Sequence, residues 1–191
     1  MNKLLKGVDI YLIGMMGAGK STIGRILAQK LRYRFFDTDD LVEKIAGKSI
    51  AKIFETEGEK SFRDLETETL KEISAYNHSV IATGGGVIQK PINWSYLRQG
   101  LIIWLDPDIE VLKKRVSKNQ NRPLAGQLES LLEKRYPLYS QADLHIKCLH
   151  YQRPDQVADF ILTKIPEKIM PQSARPKSAR PKLSNSDRTN S

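Results

Sequence analysis

Cysteine is nearly absent from this sequence, which contains only Cys148. A single thiol excludes a disulfide within the chain and suits a reducing compartment. We interpret Cys148 as a small buried apolar side chain near a strand rather than as a catalytic thiol. The fold must therefore rest on a packed core, and 40% hydrophobic residues are compatible with one.

Long apolar runs are also missing, and none approaches the roughly 20 residues that a membrane span requires. Residues 1–6 carry lysines, like the start of a signal peptide, but the apolar segment after them is short and contains Asp9. That segment leads directly into a glycine-rich loop, which cleavage would destroy. We expect no signal peptide, no membrane segment and a cytoplasmic location.

Acidic residues number 22 against 31 basic ones, which gives a net charge of +9. Residues 166–191 hold six basic and two acidic residues, so they carry +4 and leave +5 for residues 1–165. A cleft for anionic small molecules explains the charge of residues 1–165 without a nucleic acid. The pentapeptide Ser-Ala-Arg-Pro-Lys occurs twice in tandem, at 173–177 and 178–182. This composition predicts a basic disordered tail over 166–191, either dispensable or a tether to an anionic partner.

A glycine-rich loop follows the apolar run at 10–13 and reads Gly14-Met-Met-Gly-Ala-Gly19-Lys20-Ser21. Glycine, four residues and then Gly-Lys-Ser is typical of a phosphate-binding loop between a strand and a helix. Backbone N–H groups at the helix start can bind a polyphosphate, with Lys20 on its β- and γ-phosphates and Ser21 on Mg²⁺. The pattern predicts a nucleoside triphosphate site.

Strand and helix patterns alternate along the rest of the chain. We predict strands at 7–14, 34–36, 79–83, 101–105 and 145–148. We predict helices at 20–31, after Asp37–Asp40 to about 46, at 49–75 (bent near Gly58), after Pro91, and at 108–118, 127–136 and 154–164. This order predicts an α/β fold, a five-stranded parallel sheet with helices on both faces, in one domain over 1–165. Ligands of such folds lie at the carboxyl ends of the strands, where Gly14–Ser21, Asp37–Asp39 and Gly84–Gly86 would meet.

Asp37 and Asp39 lie two residues apart at the end of the second predicted strand, so their side chains can leave on the same side. One could hold Mg²⁺ through water, and the other could orient an acceptor hydroxyl or take its proton. Alternatively, Thr38 or Asp39 merely caps the next helix.

Three arginines also have ordinary explanations. Arg63 lies at helical ion-pair spacing from Glu59 and Glu66, which by itself favours surface ion pairs. Arg122 is either a solvated loop residue or a cation that closes on a transferring phosphoryl group. Arg135 has no acid three or four positions away, and its placement near a helix C-terminus before a proline is favourable.

Six motifs in register give the sequence a specific resemblance. The glycine-rich loop is followed by Phe-Asp37-Thr-Asp39, Phe62-Arg63, Thr83-Gly84-Gly85-Gly86, Asn121-Arg122-Pro123-Leu124 and Arg135-Tyr-Pro-Leu-Tyr139. Over about residues 8–165 this order and these separations resemble the shikimate kinase family. The resemblance implies a P-loop NTPase fold of the nucleoside-monophosphate-kinase type, with a mobile lid at about 112–126 and substrate-binding helices at about 38–75.

The resemblance also implies a role for each matching position. Lys20, Asp39 and Arg122 would be catalytic: Lys20 as the main partner of the phosphate charge, Asp39 as the candidate base and Arg122 as the lid arginine. Ser21 and Asp37 would serve Mg²⁺. ATP would be bound by Gly14, Gly17, Ala18, Gly19, Lys20, Ser21, Thr22, Arg115, Arg122, Arg153 and Pro154, and shikimate by Asp39, Arg63, Gly84, Gly85, Gly86 and Arg135.

The implied reaction is transfer of the γ-phosphoryl group of MgATP to the 3-hydroxyl of shikimate, by a protein that we expect to be a monomer. Another small-molecule kinase of the same fold, such as a gluconate kinase, is one alternative. A nucleotide-binding regulator without catalysis is a second, and a nucleic-acid binder acting through the basic tail is a third.

Overall fold

The structure is a computed structural model that describes residue 5 and residues 7–117, 128–149 and 152–169. Its strands are β1 Ile10–Ile13, β2 Arg34–Asp37, β3 Ser79–Ala82, β4 Leu101–Pro107 and β5 Leu144–Cys148. Its helices are α1 Lys20–Leu31, α2 Thr38–Ala46, α3 Ile50–Ile73, α4 Pro91–Leu97, α5 Ile109–Ser117, α6 Leu128–Tyr139 and α7 Pro154–Ile169, with a 3₁₀ turn at Val87–Gln89.

The five strands form one sheet in the order β2-β3-β1-β4-β5, and every neighbouring pair is parallel. The central strand β1 is buried along its whole length, which explains its uninterrupted apolar sequence. Because all strands point the same way, their carboxyl ends form one edge. The phosphate loop, the Asp37 segment and the glycine triplet follow β1, β2 and β3 at that edge, as predicted.

Local sequence signals explain several element boundaries. Helix α1 ends at Leu31, as predicted, with Arg32 in the left-handed region at φ 55°. Helix α2 ends at Gly47, which adopts φ 65°. Ser49 caps α3 by accepting a hydrogen bond from the Lys52 N–H, and the predicted bend lies at Gly58, where φ is 82°.

Three elements run further than the sequence predicts. Strand β4 continues to Pro107. Helix α6 passes through Pro137 to Tyr139. Burial of the Tyr139 ring against Trp104 offsets the loss of the hydrogen bond that proline cannot make. Helix α7 reaches Ile169, so residues 166–169 of the predicted disordered tail are helical. Residues 170–191 lie outside the described part of the chain.

Most buried side chains form one core on both faces of the sheet. A second, small cluster of Val42, Ile53 and Phe62 holds α2 against α3. These two helices therefore form a packed unit of their own beside the carboxyl edge of β2. No helix within the described residues is long and apolar enough to cross a membrane.

Candidate active site

The phosphate loop joins β1 to α1 and requires glycine for two different reasons. A Cβ atom at Gly14 would overlap the carbonyl oxygen of Leu105, so the loop passes directly against β4. Gly19, at the start of α1, adopts φ 94°, a conformation that side chains disfavour. Lys20 is 8% exposed, and its Nζ donates to the carbonyl oxygens of Gly14 and Met15, both at 2.8 Å. The ammonium group is thus held against the loop that is predicted to bind phosphate.

A cleft of about 440 Å³ opens in front of this loop. Its lining includes eight of the predicted nucleotide-binding residues: Gly17, Ala18, Gly19, Lys20, Ser21, Thr22, Arg115 and Pro154. Arg115 reaches the loop from α5, where its Nη1 donates to the Gly17 carbonyl oxygen at 3.0 Å. One contiguous motif and two distant residues therefore share the same cleft.

Two of the predicted nucleotide ligands are not among the residues that line the cleft. Gly14 packs behind the loop against β4. Arg153 is exposed and its guanidinium pairs with Asp155 at 3.1 Å, so only the neighbouring Pro154 contributes to the lining. Arg122 and residues 118–126 of the predicted lid lie outside the described residues, while 112–117 form the last turns of α5.

Asp37 and Asp39 both line the cleft. The Asp37 carboxylate caps α2 by accepting a hydrogen bond from the Asp39 N–H at 3.1 Å. The alternative that Thr38 or Asp39 is the cap is therefore wrong, because Asp37 takes that position. The bond uses Oδ1 of Asp37, so capping is compatible with a second interaction at Oδ2.

The residues proposed for Mg²⁺, Ser21 and Asp37, both contribute oxygen donors to the cleft. No group of three or more His, Cys, Asp or Glu side chains suited to a metal occurs in the described ranges. Mg²⁺ commonly uses one or two protein oxygens and completes its shell with phosphates and water. The donor set therefore fits a nucleotide-bound Mg²⁺ better than an all-protein metal site.

The glycine triplet after β3 leaves space that neighbouring side chains fill. A Cβ atom at Gly84 would overlap the Glu66 carboxylate and lie 2.8 Å from Oδ1 of Asp39, and one at Gly86 would overlap the Arg63 guanidinium. A Cβ atom at Gly85 would lie 3.2 Å from the backbone nitrogen of Met16 in the phosphate loop. The triplet thus separates the nucleotide cleft from a cluster of charged side chains.

Arg63 carries the first charge of that cluster. Its guanidinium pairs with Glu66 at 2.8 Å and with Glu59 at 3.2 Å, so the predicted ion pairs form. The interpretation as a surface pair is wrong for Glu66, since the Arg63 and Glu66 side chains are 11% and 1% exposed, whereas Glu59 is exposed. Burial alone would lower the pKa of Arg63, but the two carboxylates outweigh it and raise the pKa. Arg63 is therefore a fixed, permanently charged group.

Arg135 carries the second charge and is 4% exposed. Its Nη1 donates to the Gly85 carbonyl oxygen at 3.3 Å, and its buried Nε has no hydrogen-bond partner. Placement near a helix C-terminus does not explain Arg135, because α6 continues to Tyr139 and has no basic residue in its last turn. Within the described residues no carboxylate lies within ion-pair distance of Arg135, and the buried Glu66 interacts with it only over a longer distance. A guanidinium in this state is prepared for an anionic ligand.

Three residues support the site from buried positions that were not predicted, although the pairing of one of them, Glu66, with Arg63 was. Glu66 holds Arg63, Thr38 accepts a hydrogen bond from the Gly84 N–H at 2.8 Å, and Tyr139 donates to the Gly85 carbonyl oxygen at 2.6 Å. Spacing gave signals for two of them, since Glu66 lies one helical turn after Arg63 and Tyr139 one turn after Arg135. Residue pairs with this spacing also occur on exposed helices, and only their burial distinguishes these two pairs from ordinary surface residues.

A phosphate loop at the carboxyl edge of this sheet, beside a compact site of carboxylates, guanidinium groups and glycines, defines a P-loop kinase of small molecules. The family model for shikimate kinase matches residues 16–166. The chain belongs to the shikimate kinase family.

Individual relatives agree with that assignment. The chain is 51% identical to a shikimate kinase of Microcystis aeruginosa over 86% of this chain and 90% of that protein. It is 52% identical to a shikimate kinase of Rippkaea orientalis over 89% and 94% of the two chains. A solved shikimate kinase from Acinetobacter baumannii, in complex with shikimate, superposes with a TM-score of 0.83 at 36% identity, covering 87% of this chain and 98% of that one.

Proposed function

We propose that this protein transfers the γ-phosphoryl group of MgATP to the 3-hydroxyl of shikimate, giving shikimate 3-phosphate and ADP. The observation that carries the proposal is the buried Arg135, which has no carboxylate at ion-pair distance among the described residues and lies behind Gly85 next to the phosphate loop. Shikimate combines a carboxylate, which suits a guanidinium, with ring hydroxyls that need polar acceptors. Family membership supports the same acceptor.

Nucleotide binding uses the contiguous loop and the start of α1. Backbone N–H groups of Gly17, Ala18, Gly19, Ser21 and Thr22 would hold the phosphates, with the dipole of α1 adding to the attraction. Lys20 would exchange its bonds to the Gly14 and Met15 carbonyl oxygens for phosphate oxygens. Arg115 and Pro154 line the cleft beyond the loop and would cover the adenine.

Ser21 and Asp37 would hold Mg²⁺, with Asp37 acting through water. When bound, Mg²⁺ neutralises charge on the β- and γ-phosphates. Capping of α2 fixes the Asp37 carboxylate in place before nucleotide arrives. This side chain therefore contributes a preset oxygen to the cleft.

Acceptor binding uses the charged cluster around the glycine triplet. Arg63 and Arg135 would bind the shikimate carboxylate, and Gly84, Gly85 and Gly86 would let the ring approach the backbone closely. Asp39 lies in the cleft and next to Gly84, so it can reach a ring hydroxyl near the phosphates. It would orient the 3-hydroxyl and accept its proton as the phosphoryl group is transferred.

Phosphoryl transfer depends on positioning and on cations around the transferring group, with little covalent chemistry for the protein. Lys20 supplies one cation, and Arg122 would supply another from the proposed lid at about 112–126. Closure of such a lid would exclude water, which otherwise competes with the acceptor. We also propose that the enzyme is a cytoplasmic monomer whose tail is dispensable for catalysis.

The test is ADP release from MgATP with shikimate, with gluconate and with no acceptor. Turnover with shikimate alone is the expected result. Turnover with gluconate would instead favour the alternative kinase. ATP binding without turnover on either acceptor would favour a nucleotide-binding regulator, and a polynucleotide affinity that disappears on deletion of 166–191 would assign the tail a separate role.

A further inference from the structure

The glycine triplet is the most flexible sequence at the acceptor side, because glycine has more backbone freedom than any other residue. It nevertheless has to present its N–H groups to a small polar acceptor in one orientation. Two buried hydroxyl groups from other elements contact it, one from Thr38 at the start of α2 and one from Tyr139 at the end of α6.

We propose that Thr38 and Tyr139 are positioning residues that preset the Gly84–Gly86 backbone for the acceptor. This inference rests on the proposed function and deepens it, since it names the groups that fix the shape of that acceptor site. Neither hydroxyl needs to touch the acceptor.

The Tyr139 hydroxyl fixes one peptide of the triplet. It donates to the Gly85 carbonyl oxygen at 2.6 Å. In a trans peptide the carbonyl and the following N–H point in opposite directions, so fixing the Gly85 oxygen also fixes the Gly86 N–H. That N–H donates no hydrogen bond to any described residue, and Gly86 lies against the Arg63 guanidinium. The bond therefore fixes the orientation of a backbone donor on a residue that packs against Arg63.

The Thr38 hydroxyl fixes the peptide group between Thr83 and Gly84. Its Oγ1 accepts a hydrogen bond from the Gly84 N–H at 2.8 Å, and the threonine is fully buried. Gly84 also accepts a bond from Val87 N–H through its carbonyl oxygen. Gly84 is thus held at its N–H by Thr38 and at its carbonyl oxygen by Val87. The ordering entropy of this residue is therefore lost on folding rather than on acceptor binding.

Tyr139 is itself rigid and stays a hydrogen-bond donor. Its ring is fully buried and stacks on Trp104 with 5.6 Å between ring centroids. Burial raises the pKa of its phenol, and the Arg135 guanidinium beside it opposes this effect. The hydroxyl is therefore neutral at physiological pH and can donate to the Gly85 oxygen.

Arg135 and Tyr139 lie one turn apart on α6 and share the same acceptor, the Gly85 carbonyl oxygen. Without the phenol hydroxyl, that oxygen keeps only Arg135 as a partner among the described residues, and Arg135 loses its own hydrogen bond to Tyr139. The guanidinium would then be drawn toward Gly85 and away from the acceptor carboxylate. Loss of the hydroxyl should therefore affect the acceptor and leave the nucleotide unaffected.

The experiment compares Tyr139→Phe with Tyr136→Phe in the full-length protein. Both substitutions remove one hydroxyl from α6 and keep a ring against Trp104, but Tyr136 is 51% exposed. We expect Tyr139→Phe to raise the KM for shikimate about tenfold and to change the KM for ATP less than about twofold. Tyr136→Phe should leave both values within about twofold of the wild type.

Substitutions at Thr38 test the proposal independently. Thr38→Val keeps the shape and removes the acceptor of the Gly84 N–H, so it should also raise the KM for shikimate. Thr38→Ser keeps the hydroxyl and should restore the wild-type value. The melting temperature, recorded for every variant, separates a loss of fold stability from a loss of acceptor binding.

An unchanged shikimate KM in Tyr139→Phe would overturn the proposal, as would an equal rise in both KM values or a failure of Thr38→Ser to restore what Thr38→Val loses. These outcomes differ from failure of the proposed function itself. If the proposed function is wrong, the wild-type protein will not turn over shikimate at all, and the inference about Thr38 and Tyr139 will be wrong as well.

Discussion

The proposed nucleotide side of the site takes its phosphate-binding groups from one uninterrupted stretch, residues 14–22. The proposed acceptor side collects groups from three helices, α2, α3 and α6, and from the glycine triplet. The first depends on backbone N–H groups and local glycine conformations. The second depends on buried charges and hydroxyls that meet only after the sheet and helices have assembled. Local chemistry thus explains one half of the site and tertiary packing explains the other.

The two sides also differ in how their charges are compensated. Lys20 is held by the carbonyl oxygens of its own loop, Gly14 and Met15. Arg63 is held by Glu59 and Glu66 from its own helix, while Arg135 makes hydrogen bonds to the Gly85 carbonyl oxygen and to Tyr139 and no ion pair among the described residues. Substitutions on the nucleotide side should therefore act on phosphate chemistry, and those on the acceptor side on acceptor affinity.

The largest effect is expected at the nucleotide side. Replacing Lys20 with Met removes the buried cation of the phosphate loop, and kcat should fall by about 10³-fold or more. Lys30→Met is the matched control, because Lys30 lies on the same helix and makes only a surface pair with Asp159. Steady-state kinetics check both, and a Lys20→Met enzyme with near-normal kcat would contradict the assigned role.

A contrast between two arginines sharpens the comparison. Arg122→Ala should lower kcat by about 10²-fold or more and weaken shikimate binding far less, since the lid cation acts on the transferring group. Arg63→Ala should chiefly weaken shikimate binding, by about 10- to 100-fold, because it removes a charged partner of the carboxylate. Kinetics combined with calorimetric titration of shikimate measure both effects. Reversed signatures would show that the roles are wrongly assigned.

A smaller effect is expected at the opposite edge of the sheet, away from both sides of the site. Burial is the main cause that raises the pKa of Asp9, although its carboxylate accepts a hydrogen bond from the Ser79 N–H. The folded-state pKa lies above the unfolded value, so the wild-type protein loses stability as the pH rises from about 4 through the folded pKa. Asp9→Asn keeps the acceptor and cannot ionise.

Above that pH range Asp9→Asn should therefore be more stable than the wild type, and the difference should vanish as the pH falls below the unfolded pKa. Denaturant unfolding at several pH values measures this difference. Kinetic constants should be unchanged. A stability difference that grows as the pH falls would contradict the sign of the shift.

The smallest effect is expected at Cys148, which lines the nucleotide cleft but is only 7% exposed. Burial raises the pKa of its thiol to about 11, so the reactive thiolate is scarce at neutral pH. Cys148→Ala should leave both KM values within about twofold. A thiol reagent should label Cys148 in the native protein slowly at pH 8, and ATP should slow the labelling further. Rapid labelling that ATP does not affect would contradict the placement of Cys148 in the nucleotide cleft.

The sequence predicts the α/β fold and the phosphate loop because their signals are local: an apolar strand, glycines at fixed offsets and a helix start. It does not predict that Glu66 and Arg135 are buried or that Arg63 is largely so, since the same spacing occurs on exposed helices. The hydrogen bonds of Thr38 and Tyr139 to the glycine triplet cannot be predicted from the sequence either, because Gly84 and Gly85 lie 46 and 54 residues away. Pro137 suggested a helix end, and only the packing of Tyr139 shows why α6 continues.

The most direct test of the account is the position of the phosphate in the product. Shikimate and MgATP are incubated with the enzyme, and phosphorus–proton correlated NMR identifies the carbon that carries the ester. We expect phosphorus coupled to the proton on carbon 3 only, because Arg63 and Arg135 orient the ring by its carboxylate toward Asp39 and the phosphate loop. Coupling to another ring proton, or release of inorganic phosphate alone, would contradict the proposed geometry.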